Sequence, residues 1–220
     1  MDTDERLYTI RQISAMIPTV SISVADGTAT IATLLYDSRK LSDTVHGLFF
    51  ALEGRRDGHT YIRDAYAQGV RNFVVTQGKV ESSAFPGANF LVVPDTLEAL
   101  QTLASRHRDR FTHPVIGITG SNGKTVVKEW LVQLLSPEYR IARSPKSYNS
   151  QIGVALSLWQ LGPAADLAII EAGISRPGEM AVLQRMIRPD IAVLTNIGPA
   201  HEEGFSSLDE KIAEKLRLFE

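Results

Sequence analysis

Thr119-Gly120-Ser121-Asn122-Gly123-Lys124-Thr125 is the stretch of this sequence best suited to chemistry. It joins a run that reads as a strand, Val115–Thr119, to one that reads as a helix, Lys124–Leu135. Glycines let the backbone turn tightly, so successive N–H groups and the helix N-terminus surround phosphate oxygens. Lys124 adds a point charge near the terminal phosphates, and the Thr125 hydroxyl is suited to Mg²⁺. The alternative, a glycine-rich turn with a solvated lysine, sits poorly with strand, Gly-Lys-Thr and helix all in register. The loop departs from the usual Gly-x4-Gly-Lys-Thr spacing, because Ile118 stands where the first glycine would be.

Further polar groups follow the later strand-like runs. Glu171 ends Leu-Ala-Ile-Ile-Glu, and a carboxylate at the end of a buried strand is costly unless a cation or loop amides meet it. In a phosphate-binding sheet the natural cation is Mg²⁺. Asn196 and His201 lie in Thr-Asn-Ile-Gly-Pro-Ala-His after the next strand. A lone histidine is usually a packing or surface residue, but this one falls at the carboxyl edge of a parallel sheet, where ligands bind. Lys215 reads either as a snorkelling surface lysine or as a partly buried amine of lowered basicity, and the sequence does not choose.

The elements that must position these groups alternate from Pro114 onward. Helices are expected at Lys124–Leu135 (with Val127, Leu131 and Leu134 on one face), 152–160 and 177–187, and strands near 139–142, 167–171 and 191–195. Near-continuous apolar strands alternating with helices predict an α/β fold with a parallel sheet covered on both faces. Before this lies a smaller α/β region with strands expected at 31–36, 47–52, 72–75 and 90–93, and a helix at 61–68 closed by Gly69. A helix capped by Asp95 links the two, so the expected division is 1–94 for substrate and 95–220 for nucleotide. Ser207 and Glu210 form a capping box for a last helix with Ile212, Leu216 and Phe219 on one face. The chain stops inside that helix, so a longer protein is expected, with its nucleotide domain cut short here.

Composition removes several classes. With 44% hydrophobic residues, 22% charged residues and a net charge of −2, nothing favours nucleic acid as a partner. No apolar run is long enough to span a bilayer, and the acidic start is unlike a secretory signal. Without cysteine there is no disulfide or thiolate chemistry. A soluble, cytoplasmic, monomeric protein is the expectation.

Taken together these motifs resemble the Mur ligases over nearly the whole chain. Asp37-Ser38-Arg39, Gly47–Gly54 and Asp57-Gly58-His59 look like the family's N-terminal module for the UDP end of its substrate. Ile118–Thr125 looks like its ATP loop, which accounts for the unusual spacing. Tyr148–Gly153, Glu171-Ala172-Gly173 and Asn196–Phe205 complete the set, while Ser150 stands where the family commonly has a second asparagine. Lys124–Trp130 further resembles forms fused to an alanine racemase.

The resemblance implies ATP-dependent joining of D-alanyl-D-alanine to UDP-N-acetylmuramoyl-tripeptide through an acyl phosphate. It implies nucleotide contacts from Gly120, Ser121, Asn122, Gly123, Lys124, Thr125 and Asn196, and a phosphate or substrate contact from Asn149. Two Mg²⁺ ions are implied, with Thr125, Glu171, His201 and a carbamylated Lys215 as ligands. Ser38, Arg39, Asp57, Gly58 and His59 would meet the UDP-sugar, although Arg39 reads equally as a solvated charge and Asp57-Gly58-His59 as a capping turn. Competing readings are a sister ligase that adds one amino acid to the muramoyl-dipeptide and a non-catalytic UDP-sugar-binding module. A kinase or switch NTPase is disfavoured by the loop spacing and by Glu171 where aspartate is usual. The 220-residue chain alone is expected to bind ligand and turn over poorly.

Overall fold

The computed structural model describes residues 7–198 and 204–220; His201 lies outside them. The chain divides into two units, Met1–Leu103 and Ala104–Glu220.

The first unit runs β1 (Tyr8–Thr9), α1 (Ile10–Met16), β2 (Ser21–Ser23), β3 (Thr30–Ile31), β4 (Thr33–Leu35), β5 (Gly47–Phe50), α2 (Ile62–Ala67), β6 (Asn72–Thr76) and β7 (Asn89–Val93). The expected strand 31–36 is two strands: β3 pairs with β1, whereas β4 enters the main sheet, whose order is β2-β7-β6-β5-β4. In that sheet β4 to β7 are mutually parallel and β2 is antiparallel to β7. The core beneath it includes Phe49, Phe73 and Phe90, the last two stacked with centroids 5.1 Å apart. Helix α1 is not anticipated above, although its Thr9/Gln12 capping box is visible in the sequence. Gly69 closes α2 with φ 103°, as the sequence predicts.

Helix α3 (Thr96–Arg108), capped by Asp95 Oδ1 accepting from Leu97 N and Glu98 N, carries the chain from one unit into the next. At its far end the buried Arg108 guanidinium donates to Phe111 O, Ile187 O and Arg188 O, satisfying carbonyls at the end of a later helix.

The second unit runs β8 (Val115–Thr119), α4 (Lys124–Leu135), β9 (Ile141–Arg143), α5 (Gln151–Leu158), β10 (Leu167–Glu171), α6 (Glu179–Ile187), β11 (Ile191–Leu194) and α7 (Leu208–Leu216). Its four strands among the described residues are all parallel, in the order β11-β8-β10-β9. Helix α4 covers the face lined by Ile116, Ile118, Leu167 and Ile169, using Val127, Leu131, Val132 and Leu135. Leu134, expected on that face, points to solvent. Helix α6 begins after Gly178 in the left-handed region, so Pro177 precedes it.

Helix α7 corrects the periodicity reading most. Leu216 and Phe219, expected on its buried face, are 44% and 49% exposed, whereas Lys211, Glu214 and Lys215 are buried, as is Leu218 just beyond the helix. The charged side of the helix faces inward because, as described below, its amines end on backbone carbonyls at the phosphate loop.

Candidate active site

In the sheet order, β8 connects outward through α4 to β9, whereas β10 connects the opposite way through α6 to β11. Neighbouring strands whose connections run in opposite directions mark the switch point of an open α/β sheet, and ligands settle there at the carboxyl ends of the strands. Gly120–Thr125 follows β8, Glu171 ends β10 and Thr195–Gly198 follows β11, so three of the expected clusters share this edge.

The phosphate loop is braced from β11. Ser121 N donates to Asn196 O (2.9 Å), Asn122 N to Asn196 Oδ1 (2.9 Å) and Thr195 Oγ1 to Asn122 O (2.6 Å). Ser121 Oγ and Gly198 exchange two further bonds. Gly120 has φ 143°, and a methyl there would collide with Thr195 Oγ1 and meet Asn196 N at 3.1 Å, so only glycine lets the loops close. Asn196, expected at adenine, thus already holds the loop in shape through its carbonyl oxygens. Gly123, also left-handed, opens α4, and no described side chain caps the first N–H groups of that helix.

Three ammonium groups gather here. Lys124 Nζ folds back onto Gly120 O (2.8 Å), Lys215 Nζ donates to the same oxygen (3.3 Å) and Lys211 Nζ donates to Gly198 O. Burial lowers the pKa of Lys124, partly opposed by the charge of Glu171. Burial, reinforced by the charges of Lys124 and Lys211, brings Lys215 down to about 8. Concentrated positive charge beside a helix N-terminus suits a polyphosphate. The buried reading of Lys215 is therefore the one the fold realises.

Glu171 is fully buried, and Thr125 Oγ1 donates to its Oε2 at 3.0 Å. Its cationic neighbour is a residue that the sequence reading passed over. Lys128 Nζ stands 2.9 Å from Glu171 Oε1, with Lys128 also fully buried. Among the described residues Oε1 accepts no hydrogen bond, so the contact is ionic, and the ammonium donates instead to Ser144 O and Lys146 O. The signal was present: Lys128 lies one turn past Lys124, on the stripe of α4 that turns to the sheet. Among the described residues no three of His, Cys, Asp or Glu converge as a metal cluster. The hydroxyl and carboxylate of Thr125 and Glu171 are hard oxygen donors of the kind Mg²⁺ takes beside phosphates.

Asn149 packs against Gly173, two residues beyond Glu171. Its backbone oxygen accepts from Gly173 N (2.8 Å), and a side chain at Gly173 would strike the Asn149 amide. Ser150 caps α5, its Oγ accepting from Gly153 N at 3.2 Å.

In the first unit, Asp37–Arg39 follow β4 and Glu53–His59 follow β5, at the carboxyl edge of neighbouring parallel strands. Arg39 is largely exposed and grips Asp37 with two bonds of 2.8 Å, which hold that carboxyl at about 2. Ser38 is buried. His59 Nε2 accepts from Thr76 N (2.9 Å), so Nδ1 carries the proton donated to Asp57, and Lys79 Nζ meets the other oxygen of Asp57 at 3.1 Å. Asp57 also caps the short 3-10 helix Gly58–Tyr61, and Gly58 lies so close to Leu52 that a side chain would meet its backbone at 2.7 Å. Both ring nitrogens of His59 are therefore occupied within the unit.

Residues 118–220 match the Mur ligase middle domain. The chain is 34% identical over 219 residues to UDP-N-acetylmuramoyl-tripeptide–D-alanyl-D-alanine ligase of Bacillus subtilis, a match covering 96% of the chain and 45% of that relative. A crystal structure of MurF from Acinetobacter baumannii superposes with a TM-score of 0.87 at 27% identity, covering 97% of this chain and 46% of that one. MurF ligase from Thermotoga maritima in complex with ADP gives a TM-score of 0.73 at 29% identity, over 84% of this chain and 42% of that one. The chain thus spans about half the length of the relatives it matches. With the middle-domain match, the fold shared with MurF structures and a crevice built as its motifs require, residues 118–220 belong to the Mur ligase middle-domain family.

Proposed function

We propose that the chain supplies the UDP-sugar-binding and ATP-binding parts of a cytoplasmic ligase that joins D-alanyl-D-alanine to UDP-N-acetylmuramoyl-tripeptide. The observation that carries this reading is the meeting of the phosphate loop, the Thr125–Glu171 pair and three lysine amines at one crevice. The names of the relatives supply the substrates.

The reaction needs a carboxylate turned into an acylating agent. A carboxylate oxygen of the tripeptide attacks the γ-phosphorus of ATP, the bond to the β-γ bridging oxygen breaks and ADP leaves. The amine of D-alanyl-D-alanine then adds to the acyl carbon, and the tetrahedral intermediate expels phosphate as the amide forms and the nitrogen loses a proton. Two anions approach in the first step, so positioning and charge neutralisation dominate. The N–H groups of Gly123 and Lys124, at the start of α4, and the Lys124 amine cradle the phosphates, and Asn149 is proposed to contact them or the substrate. The bracing by Thr195 and Asn196 keeps those donors oriented before substrate arrives.

Thr125 and Glu171 would hold Mg²⁺, which supplies further charge neutralisation at the phosphates. Lys215 has no lone pair to offer a metal while it is an ammonium. Its burial and lowered pKa favour the neutral amine that adds to carbon dioxide, and the resulting carbamate would be an oxygen ligand. Ser38, Arg39, Asp57, Gly58 and His59 remain the residues proposed for the UDP end. Of these, Arg39 offers the most exposed charge, and His59 acts through the shape of its turn.

The test is phosphate release by the complete gene product. UDP-muramoyl-tripeptide with D-alanyl-D-alanine is compared with UDP-muramoyl-dipeptide and single amino acids, with Lys124→Ala as control. Release with the first pair alone, abolished in the control, is the expected result. Release with the second pair would make the protein a sister ligase, and none with either would leave a binding module.

A further inference from the structure

We propose that Lys128 is a positioning residue for Glu171: it fixes the carboxylate so that Oε2 stays beside Thr125, and thereby sets the magnesium-dependent part of nucleotide binding. The proposal rests on the reading of Glu171 as a metal ligand. Lys128 has no exposed surface, although an ammonium at such a place is costly unless each of its N–H groups is met. An aliphatic side chain would fill the volume at less cost, so a purely structural role explains the residue poorly.

The geometry explains it better. Nζ donates to Ser144 O at 2.8 Å and to Lys146 O, and it faces Glu171 Oε1 at 2.9 Å. The carboxylate is therefore asymmetric. Oε1 faces the Lys128 ammonium and, among the described residues, accepts no hydrogen bond, while Oε2 accepts from the Thr125 hydroxyl beside the phosphate loop. Ser144 contributes twice, because its Oγ also accepts from Glu171 N at 3.1 Å. Lys146, a non-glycine residue, is held at φ 49° with its carbonyl on Lys128, a strained conformation that persists only where its surroundings over-determine it. The segment so anchored leads directly to Asn149. One buried amine thus ties the phosphate-loop helix, the carboxylate and the Asn149 segment together. Partners that orient a metal ligand from behind typically change metal affinity by roughly 10–100-fold when removed.

The experiment titrates the chain with fluorescent ADP in Mg²⁺ and again in EDTA, for wild type, Lys128→Met, Glu171→Gln and the double variant. Wild type is expected to bind more tightly in Mg²⁺. Lys128→Met should keep its affinity in EDTA and need roughly 10–100-fold more Mg²⁺ for the tightening. Should Lys128→Met not fold, because it leaves Glu171 buried without its cation, the double variant removes both charges and decides the matter. It must match Glu171→Gln in both conditions if Lys128 acts through Glu171. An unchanged Mg²⁺ requirement in Lys128→Met, or a double variant that differs from Glu171→Gln, would overturn the proposal. Absence of Mg²⁺ tightening in wild type would overturn the metal reading of Glu171 itself, and this proposal with it.

Discussion

Replacing Lys215 by methionine should make the second unit more stable near neutral pH. The amine is buried, and its hydrogen bond to Gly120 O is a long 3.3 Å. Around it stand Lys211 on its own helix and Lys124 across the loop, while the Glu214 carboxylate is turned away to Met180 N and Arg217. Burial and the two like charges bring its pKa from 10.5 to about 8. The unfolded chain keeps this proton up to 10.5, whereas the folded chain gives it up near 8. Below 8 both states are charged and the fold carries the full cost; between 8 and 10.5 stability rises with pH.

At about 1.4 kcal/mol per pH unit that cost is about 3 kcal/mol. Methionine avoids it and forfeits a weak hydrogen bond of about 1 kcal/mol, leaving a net gain of about 2 kcal/mol at neutral pH. The gain should shrink as the pH passes 8, vanish at about pH 9.5 and reverse by about 1 kcal/mol towards 10.5, where only the lost hydrogen bond remains. Urea midpoints of both proteins in carbon-dioxide-free buffer, at about pH 7 and about pH 9.5, measure it. A variant that is less stable at neutral pH, or one whose difference is the same at both, would refute the reasoning. A native residue that costs the fold this much is retained for the site and not for the fold.

Gly120→Ala should destabilise the second unit by about 2–3 kcal/mol and weaken nucleotide binding at least tenfold, because the methyl forces Thr195 and Asn196 off the loop; urea unfolding and nucleotide titration report the two effects. Arg108→Met deprives Phe111, Ile187 and Arg188 carbonyls of their donor and should cost about 2–4 kcal/mol, with faster hydrogen exchange at the end of α6. Asn89→Ala removes bonds from Ala25 N and Asp26 N and to Asp26 O and Asn72 Oδ1. It should cost the first unit about 3 kcal/mol, visible as faster exchange in β6 and β7.

The phosphate loop was legible because its chemistry is local: glycines, Lys124 and Thr125 are contiguous, and the flanking strand and helix have the bounds the sequence predicts. The parallel character of the second sheet was legible too, since buried strands alternating with helices admit little else. Strand order was not, because nothing local places β8 between β10 and β11; that placement is what brings Asn196 to the loop. On α7 the apolar periodicity misled for a physical reason. Burying Lys211, Glu214 and Lys215 costs free energy that a pattern of hydrophobic residues does not register, and here the site requires it. Lys128 escaped notice likewise, since a lysine on a helix is usually solvated, and only the fold shows Glu171 beneath it. In the first unit, Ala32 breaks what reads as one strand into two that serve different sheets.

Titration of the chain with ATP and Mg²⁺, wild type against Lys124→Ala, bears most directly on the crevice being a nucleotide site. Saturable binding that the substitution weakens at least tenfold, with the fold intact by circular dichroism, is the result this account predicts, because among the described residues the Lys124 amine is bonded only to carbonyls of its own loop. Absence of binding, or binding indifferent to the loss of Lys124, would contradict it.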